Sequence, residues 1–585
     1  MIFTKKYVKI TITVLIWRYY MLKKTLALFL ALLMLTAVFA GCGTKKTNVG
    51  GDTTDTKAST VATTTLEDDA EDEIDEEIEE SEEDIEEEDE NTRTPISIDY
   101  TANTDIEFND TVATDIMTLE QILNPENFEG SDIPDEVDYE GYEFKVLADT
   151  VNVGYEFIEK SDGDIVKDAV INRQEWIEQY VGISFTIIEH LGGYYDMNFY
   201  ASEIEAASGA GNPYDIALAY SHIPPLVAAK GLSRDLAESD TLNLYNTKKE
   251  YWGSGIKEEI MIGGRIFWMS DNSSWDSVRN LLCIFVNTEF FARANEGFDQ
   301  TDLYQMVYGG TWSFENMLLF LQNTYENTNM DTPAADKDDT FGLQADGTGY
   351  SLENWLYGAG FSLTKINNRG TYEWTLADQS FIDFSDWWQD TLATNINIHR
   401  GGAGLILFKE ERAMMSLAPL KMIEGNIEFD FTVLPLPIYK PEIKNKYSTP
   451  ILNDYGSWLI PKAAKKDAFE RSATVLELIA AEGNRRIAPV YFEIYLKRQN
   501  AGHDKDMQKM FNIIRNAIVF DVGFLYGSAM LLEPVNGDVP AELFLEFRRM
   551  WRGDANFGNI STYWARTEAA ATAKLNNLMV DILDY

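Results

Sequence analysis

Between Tyr142 and Tyr220 three short apolar runs alternate with two helical stretches. The runs are Glu143-Phe-Lys-Val-Leu-Ala148, Ile183-Ser-Phe-Thr-Ile-Ile188 and Tyr214-Asp-Ile-Ala-Leu-Ala-Tyr220. Their length and their content of Val, Ile, Phe and Tyr read as strands. From Asp164 to Tyr180, the residues Val166, Ala169, Val170, Arg173, Ile177 and Tyr180 fall on one side of a helix, which Gly182 closes. A shorter helix runs from about Asp196 to Ala207 and stops at Gly209-Ala-Gly211. Strands alternating with helices predict an α/β fold with parallel sheets flanked by helices. Ligands bind such sheets beyond the carboxyl ends of their strands. Asp149-Thr150 and Tyr220-Ser221-His222 are therefore the first places to look for a site.

Upstream, Met21-Leu-Lys-Lys24 is basic, Thr25 to Ala40 is apolar, and Phe39-Ala-Gly-Cys42 follows. This order makes a secretory signal. The cysteine after the small pair resembles the lipobox of bacterial lipoproteins, which implies cleavage before Cys42 and a lipid on it. Ile10 to Trp17 is too short to span a membrane, and the signal is complete from Met21, which is the expected start. Residues 43–137 read as a disordered acidic stalk. From Glu67 to Glu90, 19 of 24 residues are Asp or Glu, and like-charge repulsion keeps such a tract extended. Thr118 to Leu123 carries at most one helical turn. The net charge of −48 speaks against a nucleic-acid partner.

Beyond Asp138 the composition is globular. Ser313 reads as a cap for a helix carrying Met317, Leu318 and Phe320. Leu281 to Asn287 reads as a buried strand that encloses Cys283 as a packing residue. Phe290 to Gly309 and Asp467 to Glu482 read as helices, Gly263 to Met269 as a turn into a short strand, and Gly401 to Gly404 as a glycine turn. Catalytic signatures are missing. There is no G-x-S-x-G elbow and no third glycine in Gly358-Ala-Gly360 or Gly402-Ala-Gly404. The four histidines, His190, His222, His399 and His503, lack metal-ligand spacing. The expectation is no enzyme, no metal and no cofactor. Carboxylate pairs of a secreted carbohydrate-active hydrolase stay open at this point.

Several short motifs occur in a fixed order. They are Asp164 with Asp168-Ala-Val and Asn172-Arg173, then Tyr214-Asp-Ile216, Val286-Asn287 with Phe290, and Thr311-Trp312 with Glu315. Phe341-Gly-Leu343, Leu434-Pro-Leu-Pro437 and Gly456 with Ile460-Pro-Lys462 follow. Together they resemble the family 1 extracellular solute-binding proteins of bacterial ABC importers. Ala488-Pro489 with Tyr491, and Phe520-Asp521 with Gly523, are similar to a branch found in Firmicutes. The resemblance spans about Tyr139 to Tyr585. It implies two αβ lobes joined by crossover segments: 138–285 with part of 400–455, and 286–399 with part of 456–585. It also implies a monomer on the outer face of the cytoplasmic membrane, held by an N-terminal lipid, that delivers a sugar or oligosaccharide to permease subunits. A binding protein for another solute such as a peptide is the alternative, beside the hydrolase.

Sugars stack their C–H faces on aromatic rings and give their hydroxyls to carboxylates and amides. The resemblance implies contacts from Tyr220 and Ser221 at the end of the third strand and from Asn354 and Trp355 of the second lobe; Asp149 at the end of the first strand, Asp271 and Trp275 before the crossover, and Trp458 at the return are expected beside them. The chain has 13 tryptophans, so most of them must pack in cores. Trp355 is expected to be a platform whose loss weakens binding without unfolding the protein. Trp387 and Trp388 read as a packing pair, and Glu410 and Glu411 as a solvated helix start.

Overall fold

The computed structural model describes residues 119–211, 213–245, 249–252, 259–271, 273–328, 335–345, 352–400, 406–424, 427–440, 442–444, 446–452, 454–495, 505–530 and 559–584. All of them lie within the unit Asp89–Tyr585. The signal segment, Cys42, most of the stalk and the glycine turn at 401–404 lie outside the described residues.

Thirteen strands are described. In chain order they are β1 (Tyr142–Asp149), β2 (Ile183–His190), β3 (Ile216–Tyr220), β4 (Leu282–Asn287), β5 (Phe341–Gln344), β6 (Thr364–Ile366) and β7 (Tyr372–Trp374). Then come β8 (Ile398–His399), β9 (Ala413–Pro419), β10 (Phe431–Leu434), β11 (Thr449–Pro450), β12 (Gly456–Leu459) and β13 (Ile518–Val519). The first sheet has the order β12-β3-β1-β2 and the second β10-β4-β9-β5-β8. Both are mixed rather than wholly parallel. β12 runs against β3, and β4 runs against both β9 and β10. An apolar run does not reveal its direction, because a strand buried on both faces reads the same either way. Of the late segments, β9 and β10 join the second sheet, and β12 joins the first.

The first lobe follows its sequence closely. Helix Ile165–Val181 buries Val166, Ala169, Val170, Arg173, Ile177 and Val181. Each large apolar member of that stripe contributes roughly 1.5–3 kcal/mol. Asp164 caps the helix, accepting from the main-chain N–H of Val166 at 2.8 Å and of Lys167 at 3.1 Å. Gly182 ends it in the left-handed region at φ 64°. A Cβ there would lie 2.0 Å from Asp138 Oδ1. Arg173, inside the apolar stripe, is paired with Glu156, with Nη1 2.9 Å from Oε2.

Elsewhere boundaries shift. The helical stretch after Asn287 divides into Thr288–Ala294 and Gln300–Tyr308, each with its own side-chain cap. Ile262–Met269 forms only isolated bridges, to Arg265 and to Trp458, instead of a strand. Cys283 is buried in β4, and burial raises its thiol pKa. The start of the folded part is tied to the first lobe: Lys249 Nζ lies 2.7 Å from Asp132, and Arg485 Nη2 lies 2.6 Å from Glu126.

Candidate functional site

The carboxyl ends of β1, β2 and β3 lie side by side. At the end of β1, Asp149 is fully buried. Its Oδ1 accepts from the main chain of Val151 at 2.7 Å and of Asn152 at 2.9 Å, and its Oδ2 accepts from Asn152 Nδ2 at 2.8 Å. It therefore shapes the turn after β1. Burial raises its pKa against those hydrogen bonds.

After β2 the chain turns at Gly192, where a Cβ would sit 2.6 Å from Asp149 Cβ and 2.7 Å from Tyr200 Cδ2. Only glycine lets this loop close onto β1. Tyr200 fixes the following helix, Met197–Gly209, with its hydroxyl set between the carbonyl oxygens of Leu147 and Leu218, at 2.8 and 2.9 Å, sharing its one proton with them. The loop so held presents Tyr194, 49 % exposed, and Tyr195, 95 % exposed. Sequence reasoning passed over this pair, although the rule that selected Asp149 and Tyr220 applies equally to Gly192-Gly-Tyr-Tyr195.

From Tyr195 a run of rings leads inward. Tyr194 meets Tyr195 at 5.2 Å and Tyr220 at 6.5 Å, both edge-on. Tyr220 stacks on His222 at 5.6 Å, and His222 meets Phe524 edge-on at 4.8 Å. His222 is buried, and loss of hydration lowers its pKa to about 4 against a hydrogen bond to the Leu525 main chain.

Phe524 lines a pocket of about 450 Å³, counting its open mouth. Asn354 and Tyr357 come to it from helix Leu352–Gly358. Ile451, Leu452 and Tyr455 come from the segment between the sheets, and Phe520 and Asp521 from the stretch after β13. The pocket lies where the lobes join, because Ile451 bridges Leu281 beside β4 and Tyr455 precedes β12. Asp521 is a wall residue. It accepts from Thr364 Oγ1 at 2.8 Å, from the Gly523 N–H at 2.7 Å and from the Leu363 N–H.

The remaining expected contacts are set back from this path. Ser221 is fully buried after β3. Asp271 caps a turn, accepting from the N–H of Ser273 at 2.9 Å and of Ser274 at 2.5 Å. Trp275 meets Tyr155 edge-on at 5.3 Å, and Arg279 lies 4.3 Å over the same tyrosine. Asp276, next to Trp275, accepts from the Gly456 N–H at 2.7 Å and draws this helix onto β12. Trp458 is 1 % exposed within β12 and meets Phe157 at 6.1 Å. Trp355 is also 1 % exposed, between Phe314 at 5.5 Å and Trp388 at 6.1 Å. Its ring is packed inside the second lobe instead of presenting an open face. Behind the cleft, burial pushes Glu156 up to about 7, outweighing Arg173, and Asp271 adds to the rise.

Among the described residues no group of His, Cys, Asp or Glu could hold a metal ion. No described helix is long and apolar enough to cross a membrane.

No protein-family model and no curated protein matches the chain. Solved structures do. The ABC substrate-binding protein Lmo0181 from Listeria monocytogenes, in complex with cycloalternan, is 12 % identical over 76 % of this chain and 98 % of its own, with a TM-score of 0.42. The GacH receptor of Streptomyces glaucescens, solved unliganded and with acarbose, is 13 % identical over 74 % and 99 %, with a TM-score of 0.45. The extracellular solute-binding protein from Staphylococcus aureus, in complex with maltose, is 12 % identical over 77 % and 98 %, with a TM-score of 0.45. These are likenesses of overall arrangement, and the functional reading rests on the site itself.

Proposed function

We propose that the chain is the solute-binding subunit of an ABC importer and captures a carbohydrate between its two lobes. The observation that carries this reading is the run of rings from exposed Tyr195 through Tyr194, Tyr220 and His222 to Phe524, opening on a pocket to which both lobes contribute. Aromatic faces take the C–H faces of sugars, and the pocket's size suits a small ligand. Tyr220 and Asn354 border the ligand. Asp149 and Asp271 hold the turns that shape the cleft, and Ser221, Trp275, Trp355 and Trp458 back it. The ligand is released unchanged, to permease subunits of the importer.

Phe39-Ala-Gly-Cys42 supports cleavage before Cys42, a lipid on that cysteine and a monomer held at the outer face of the cytoplasmic membrane, with the acidic tract as its stalk. Thermal unfolding of the mature protein across a panel of oligosaccharides and short peptides tests the reading. A sugar at a hundred times its Kd stabilises by about 2.7 kcal/mol, which raises the melting temperature. A shift with peptides alone, or turnover of a chromogenic glycoside, would overturn it.

A further inference from the structure

The second sheet carries a cation that the reading above leaves unused. β5 and β8 run parallel, with Gln344 opposite His399. The Ala345 N–H donates to the His399 carbonyl at 2.9 Å, and the His399 ring packs on Phe341 at 4.9 Å. The next residue, at the carboxyl end of β8, is Arg400. Its side chain is half-buried, and Nη1 is buried with no hydrogen-bond partner. No described carboxylate lies within ion-pair distance of it, and burial alone lowers its pKa.

Several other buried or half-buried arginines of this chain are matched. Arg173 faces Glu156, Arg279 faces Glu424, Arg471 faces Asp215, and Arg485 and Arg486 face Glu482. Acidic residues outnumber basic ones 96 to 48, so a bare arginine here does not reflect a shortage of acids. A guanidinium withdrawn from water without an anion is costly, and a ligand anion would offset that cost. The position also suits a ligand. Ligands approach open α/β sheets at the carboxyl ends of their strands. At this same end of the second sheet, just after β9, which β5 separates from β8, the Leu420 N–H donates to the Leu281 carbonyl at 2.9 Å, and Leu281 bridges Ile451 of the pocket wall; Arg400 itself lies outside the pocket lining.

We propose that Arg400 receives an anionic group of the ligand, so that the protein selects acidic carbohydrates bearing a uronate carboxylate or a sulfate ester. This rests on the carbohydrate reading and narrows it. The guanidinium fork matches both oxyanions with two parallel N–H donors.

Calorimetric titration of the mature protein tests it with matched probes: trigalacturonate against galactotriose, and a sulfated galactose disaccharide against its unsulfated parent. One acidic probe should bind about ten- to a hundredfold more tightly than its neutral counterpart, and which one does so separates carboxylate from sulfate. Arg400→Gln should abolish most of that preference while leaving neutral binding in place and without lowering the melting temperature. Arg400→Lys should keep part of it. Equal binding of acidic and neutral sugars, or a preference that survives Arg400→Gln, would overturn the inference and leave the carbohydrate reading standing. Binding of neither class would overturn both.

Discussion

Two aromatic residues with opposite surroundings separate binding from packing. Trp355 is enclosed by Phe314 and Trp388, whereas Tyr195 is almost wholly in solvent. Trp355→Ala should therefore cost about 3–5 kcal/mol of stability, read as a large drop in melting temperature. Tyr195→Ala should leave the melting temperature unchanged. The sequence reading took both Asn354 and Trp355 as contacts, whereas Asn354 lines the pocket and Trp355 packs against Phe314 and Trp388. That depends on the rotation of a short helix against Phe314, which no local pattern encodes.

His222 gives a second test at this scale. Its pKa falls from about 6.5 unfolded to about 4 folded, so the folded state favours the neutral ring. Its stabilising contribution is complete above pH 6.5 and is lost as pH falls towards 4. Between pH 7 and pH 5 this amounts to about 2 kcal/mol. Chemical denaturation of wild type and His222→Leu at both pH values should show a smaller acid-side loss in the variant. An equal loss in both proteins would assign the acid sensitivity to other groups.

At the scale of elements, the segment Tyr142–Tyr220 was legible because each signal was local. Asp164 caps, the stripe from Val166 to Val181 is buried, and Gly182 closes the helix. Gly182→Ala should destabilise by more than about 1 kcal/mol, because the left-handed backbone and the contact with Asp138 both oppose a Cβ. Urea denaturation reads this directly, and unchanged stability would contradict the cap geometry. Strand direction was not legible. β12 and β9 are set by pairing across long sequence distances, Gly456 with Tyr220 and Leu343 with Met415. Their apolar runs carry no mark of polarity. The loop bearing Tyr194 and Tyr195 was readable in principle, since it follows a strand just as Tyr220 does.

Over the whole molecule, two mixed sheets contribute to one cleft. The first presents rings at its carboxyl edge, and the second brings Asn354 and Tyr357 to the pocket and sets Arg400 at its own edge. A ligand that touches both lobes favours the arrangement in which they meet, so binding and lobe closure are linked. Which lobe each late segment joins was not legible, because Ile451 and Tyr455 belong to neither sheet and line the junction instead. The most direct test is calorimetric titration of the tightest-binding oligosaccharide into wild type and the double variant Tyr194→Ala/Tyr195→Ala, each paired with thermal unfolding of the free protein. The account predicts binding weakened about tenfold to a hundredfold or more, from the apolar area no longer covered, with the melting temperature unchanged. Undiminished affinity in the double variant would contradict it.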